Sequence, residues 1–157
     1  MNIMSCESLY DTGITMQENT LITVNLGNPT EQKLIEDYST LGKDDELLEI
    51  LRTFNNSILA VNTKRKTYTV NFDYFDRSKH ICEIPFSSLS TGERLFTICH
   101  MAHTLKRKIV VCRELGQLDM PQYRLMFKYW GKSPFIDIII PNDQFEFIIT
   151  QAYEKYS

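Results

Sequence analysis

The chain has 157 residues, of which 43% are apolar and 11% aromatic, and its formal net charge is −3. That length corresponds to one domain, and the apolar share suffices for a packed core, which excludes a disordered chain. The slightly acidic balance excludes a strongly cationic nucleic-acid binder, and no uncharged apolar run is long enough to predict a transmembrane helix.

Residues 1–20 are polar and mixed, with no clear period. They open with neither a basic nor an apolar stretch, so no signal peptide is expected and the chain reads as cytoplasmic. Leu21-Ile22-Thr23-Val24-Asn25-Leu26 alternates and is β-branched, which predicts a strand. Asn28 as N-cap, Pro29 at the first helical position and Glu31 at the third then predict a short helix reaching Tyr38. A second helix is expected from Asp44 to Phe54, with Leu47, Leu48, Ile50 and Leu51 as its apolar stripe. Ser57–Asn62, Lys66–Tyr74 and His80–Pro85 follow as three strands of a meander, one face buried and one wet.

From residue 89 the period changes. Glu93–Lys106 reads as a helix, with Leu95, Ile98, Cys99, Ala102 and Leu105 on one face. Ile109-Val110-Val111-Cys112 is a continuous apolar run, as expected of a strand buried on both faces of a parallel sheet. Pro121–Trp130 reads as a helix ended by Gly131, and Phe135–Ile140 as a second buried strand. Asp143–Tyr156 closes the chain as a helix, with Asp143 and Glu146 in a capping pattern. The expected fold is α/β, or α+β. A β-rich N-terminal half with two short helices, residues 1–88, packs on a C-terminal α/β lobe, residues 89–157, with parallel strands.

Leu89-Ser90-Thr91-Gly92-Glu93 opens the predicted helix. The buried strand, Glu114 and Leu118-Asp119 follow in that order. This arrangement resembles the C-terminal lobe of ABC-type ATPases, above all the SMC and RecF-like branch, from Tyr68 to Phe147. In that family a signature LSxGE precedes a helix, an acidic pair ends the Walker B strand, and a Leu-Asp turn follows. The resemblance implies that Ser90, Thr91, Gly92 and Glu93, with Asp119 beyond them, face a phosphate or a surface on an opposing protomer. A helix N-terminus is a ready anion site. Ser90-Thr91-Gly92-Glu93 is equally a plain S-x-x-E capping box, which needs no nucleotide.

The departures from the family are severe. No GxxxxGK[ST] occurs, so the chain has no cradle for the β- and γ-phosphates. Arg113 stands where the Walker B aspartate belongs, and its charge opposes a Mg²⁺ ion. Glu114 matches the catalytic glutamate but has Arg113 beside it. Pro141-Asn142 replaces the switch histidine. No catalytic residue is therefore assigned, and no cofactor is expected, with ATP met only in trans.

The remaining constellations have simpler readings. Cys6, Cys82, Cys99 and Cys112 form no CxxC pair, and they are expected to be reduced, mostly as small core residues. His100 and His103 share a helix face without an acidic or thiolate partner at helical spacing, which makes a poor metal site. Lys106-Arg107-Lys108 complements a helix C-terminus, with phosphate or nucleic-acid contact as the alternative. Tyr123, Phe127 and Trp130 form an aromatic stripe, either core or a protein-binding patch.

Together these readings point to a catalytically inactive ABC/SMC-ATPase-like interaction protein. Its partner would be another protein, a P-loop ATPase being the candidate, which it would regulate or inhibit. Two other readings stay open: one chain of a split ATPase that supplies the signature in trans, and a structural or nucleic-acid-associated domain. A homodimer is compatible with the first reading, nucleic acid would be met only indirectly, and no membrane is implied.

Overall fold

The computed structural model describes residues 1–5, 21–23, 29–73, 79–112, 118–140 and 142–153. In chain order they form β1 (Asn2–Ser5), β2 (Leu21–Thr23), α1 (Pro29–Ser39), α2 (Asp44–Arg52), β3 (Ile58–Asn62), β4 (Thr67–Asp73) and β5 (Lys79–Pro85). A 3-10 turn (Phe86–Ser88), α3 (Thr91–Leu105), β6 (Ile109–Cys112), α4 (Met120–Trp130), β7 (Ile136–Ile140), α5 (Asn142–Ile148) and a π turn (Ile149–Tyr153) follow. The chain is thus a mixed α/β fold. No helix among the described residues is long and apolar enough to cross a membrane.

Two sheets organise these elements. The first is parallel throughout, in the order β1-β7-β6-β2. One of its two inner strands, β7, Ile136-Asp137-Ile138-Ile139-Ile140, is buried at every residue, as a run apolar apart from Asp137 predicts. The second sheet is the antiparallel meander β3-β4-β5. Ile58, Val61, Tyr68 and Val70 are buried, whereas Leu59, Ala60, Ile81 and Glu83 are exposed, which gives one dry and one wet face.

Two expectations are corrected here. Residues 2–5 read as aperiodic, yet they form β1. Four residues are too few to show alternation, and it is pairing with β7 in register Asn2↔Asp137 to Ser5↔Ile140 that makes them a strand. The Asp137 carboxylate also accepts the Asn2 N–H at 2.9 Å. In addition, the boundary at residues 88 and 89 does not divide the fold into two lobes. The parallel sheet takes β1 and β2 from before that boundary and β6 and β7 from after it.

α3 is the central helix. Leu95, Phe96, Ile98, Cys99, Met101 and Ala102 are all buried, and the helix packs on α1, α2, α4 and β7. A helix apolar nearly all round belongs inside a fold. Phe96 meets Phe54 edge-to-face at 4.5 Å and Trp130 at 5.1 Å between ring centroids. Cys99 is a buried thiol and Cys82 a half-buried one, while Cys6 and the Cys112 side chain lie outside the described residues.

The helix ends carry three local differences from the sequence reading. α3 ends on Lys106 in left-handed backbone at φ 57°, although lysine gives no sign of such a cap. Gly131 ends α4 as expected, but in right-handed backbone at φ −56°; its N–H donates to the Phe127 carbonyl. Asp143 lies inside the first turn of α5, where a carboxylate meets the helix dipole, instead of capping it. Val24, Asn25, Leu26 and Asn28 fall outside the described residues.

Candidate functional site

Leu89 is buried, and the chain turns there into α3 with Ser90 at the N-cap in extended backbone. Ser90 Oγ accepts the Glu93 N–H at 3.3 Å and donates to Glu93 Oε1 at 2.9 Å. The serine therefore caps the helix, and the glutamate closes on the serine hydroxyl rather than on its backbone. Ser90 and Thr91 are exposed. Glu93 also bears on Tyr68, whose hydroxyl is pushed above the usual tyrosine range, first by burial and then by this carboxylate.

A second capped turn abuts the first. Asp119 is the N-cap of α4: its Oδ1 accepts the Gln122 N–H at 2.9 Å, and Gln122 Oε1 accepts the Asp119 N–H at 3.1 Å. This full capping box satisfies two helix-end donors reciprocally. Gln122 also closes over Gly92. A Cβ built on Gly92 would lie 2.9 Å from Gln122 Nε2 and 3.5 Å from the Leu118 side chain. The structure thus brings Ser90, Thr91, Gly92 and Glu93 together with Asp119, through a glutamine that the sequence reading left out. The signal for it was the spacing Asp119-x-x-Gln122, itself a capping-box pattern.

The other candidates are placed elsewhere. Tyr123, Phe127 and Trp130 are buried, at 1%, 2% and 3% exposure. They pack in the core and present no aromatic patch, which removes them from the binding surface. Arg113 and Glu114 lie outside the described residues.

The histidine pair diverges. His100 is buried, and its Nε2 lies 2.9 Å from Tyr38 Oη. Tyr38 donates its own proton to the Lys43 carbonyl at 2.6 Å, so His100 Nε2 carries the hydrogen that Tyr38 accepts. Burial holds the His100 imidazole below its usual range, against the pull of the Glu46 carboxylate. His103 is exposed and meets Ser133 Oγ at 2.8 Å through Nδ1. No group of three or more metal-binding side chains converges among the described residues.

Arg107 and Lys108 of the basic cluster are each tied to a carboxylate. Arg107 pairs with Asp37 of α1, and this guanidinium holds the Asp37 carboxyl below its usual range. Lys108 Nζ pairs with Asp137 at 2.7 Å and donates to the Pro134 carbonyl at 3.1 Å. These pairs fasten the end of α3 to α1 and β7, which is a structural role.

No family model, no curated protein and no solved structure matches this chain.

Proposed function

We propose that this chain is a catalytically inactive, ABC/SMC-ATPase-like interaction protein that docks on another protein, of the P-loop ATPase class, and regulates or inhibits it. The observation that carries the reading is the exposure of Ser90 and Thr91 at the N-terminus of α3, within Leu89-Ser90-Thr91-Gly92-Glu93, in a chain without GxxxxGK[ST]. Lacking that loop, the chain has neither the P-loop's backbone cradle nor its lysine to hold the β- and γ-phosphates of ATP.

The electrostatics of the turn favour protein over nucleotide. The Glu93 carboxylate sits 2.9 Å from the Ser90 hydroxyl, and it already answers the positive end of the helix. A free phosphate arriving there meets a negative charge. A protein surface with its own donors meets an exposed hydroxyl pair and a fixed carboxylate.

The test uses the full chain as bait in a native lysate, beside Ser90→Arg. A long cationic side chain over the turn fills the docking space and pairs with Glu93 in place of the partner. A P-loop ATPase recovered by the wild type and lost with Ser90→Arg, at unchanged melting temperature, is the expected result. Equal recovery by both proteins, or no P-loop ATPase with either, would sink the reading.

A further inference from the structure

The hairpin turn between β3 and β4 is built to reach α1. Asp44, at the start of α2, accepts the Thr63 hydroxyl at 2.6 Å and so fixes the turn from one side. From the other side, Phe86 N–H donates to the Lys66 carbonyl at 2.8 Å. Between these ties Lys66 adopts left-handed backbone at φ 56°, a conformation that costs a lysine about 1 kcal/mol. Its ammonium then lands on Gln32 of α1, with Nζ to Oε1 at 2.5 Å. Gln32 is a neutral acceptor, so the charge of Lys66 is bonded but not cancelled.

One residue earlier on α1, Glu31 is buried at 6% exposure. Arg94, on the first turn of α3, donates to both of its oxygens through Nη2 alone, at 2.6 and 2.8 Å. The guanidinium is nearly buried, its side chain 11% exposed, and among the described residues its Nη1 and Nε make no hydrogen bond. Glu31 thus orients the fork and leaves three N–H donors unused.

These groups border one cavity of about 260 Å³, lined also by Arg65, Ser87 and Phe86. Arg65 stands at its exposed rim, 3.2 Å from Glu83. Three cations thus meet two carboxylates, Glu31 engaged by Arg94 and Glu83 by Arg65, and the charge of Lys66 is the one left over. What the cavity lacks is an acceptor with several oxygens. Its volume lies below the ~300–1,000 Å³ usual for drug-sized ligands, which suits a small group.

We infer that this cleft, between α1, the β3–β4 turn and the 3-10 turn before α3, binds a small phosphate-class anion, either inorganic phosphate or the phosphoryl group of a small monoester. Lys66 supplies a point charge, and Arg94 supplies a planar fork for two phosphate oxygens. Arg65 closes the rim, and the Ser87 hydroxyl lies within the same lining. The site is distinct from the Ser90 turn and does not depend on docking there.

The test is calorimetric titration of inorganic phosphate into the full chain, against sodium chloride of matched ionic strength. Saturable heat with phosphate and none with chloride is expected, with affinity about tenfold weaker in Lys66→Gln, whose lost charge-assisted bond has that weight. Arg65→Gln removes an exposed side chain and its surface pair with Glu83 and should also weaken binding, so it decides the matter if Lys66→Gln unfolds. No saturable heat in the wild type, or affinity unchanged in a folded Lys66→Gln or in Arg65→Gln, would overturn the inference.

Discussion

Gly92 and Gln122 are matched: the hydrogen of the glycine faces the Gln122 side-chain amide where a methyl group would come within 2.9 Å of Nε2. The amide cannot simply swing aside, because its Oε1 accepts the Asp119 N–H at 3.1 Å. Gly92 is thereby explained by the approach of α4, whatever else the turn does. Gly92→Ala should destabilise the fold by about 1 kcal/mol through the opened capping box. In a Gln122→Ala background the same change should be neutral or stabilising, since alanine outranks glycine within a helix. Urea unfolding of the four proteins gives the coupling, expected at about 1 kcal/mol. Strictly additive effects would show that Gln122 is not the reason for the glycine.

His100 makes stability depend on pH. Burial holds its imidazole below the usual histidine range, so the unfolded chain binds the proton more readily than the folded one. The stability that neutral His100 contributes is complete above the unfolded pKa, about 6.5. It is lost as pH falls from there through the lowered folded value. The urea midpoint should therefore drop between about pH 7 and pH 5, and His100→Gln should flatten part of that slope. An identical slope in the variant would place the titrating group elsewhere.

Much of this fold is legible along the chain. The meander, α3, β6 and β7 carry their periods openly: Thr67-Tyr68-Thr69-Val70 alternates, and Ile136–Ile140 is apolar apart from Asp137. β1 was hidden because nothing in Asn2-Ile3-Met4-Ser5 distinguishes a strand until β7 is there to pair with it. The left-handed cap at Lys106 was hidden for a similar reason. Its N–H reaches the carbonyls of Ala102 and His103, a geometry imposed by the end of the helix and not by the side chain. At the candidate site, the Ser90 cap was readable from S-x-x-E. The contact of Gly92 with Gln122 was not, because it joins two turns 30 residues apart. The aromatic stripe left two options, and only burial decides between them.

The chain lacks GxxxxGK[ST], and under the proposed ABC/SMC-like reading Arg113 stands where a metal-binding aspartate is expected. Titration of the isolated chain with Mg-ATP should accordingly give no saturable heat attributable to the Ser90 turn, and the chain should release no phosphate from ATP. Turnover abolished by Glu114→Gln would contradict an inactive lobe. Any heat from the cleft at Lys66 and Arg94 is identified by its weakening in Arg65→Gln.

The proposed docking surface is the exposed turn that opens α3. Its most direct measurement is site-specific photocrosslinking, with a photoreactive side chain placed at Thr91 in the full chain and, as a control, at Leu59 on the wet face of the meander. Both residues are exposed, so neither substitution disturbs the core. A crosslink from Thr91, and not from Leu59, to a protein that carries a P-loop is the expected result. No adduct from Thr91, or the same adducts from both positions, would contradict it.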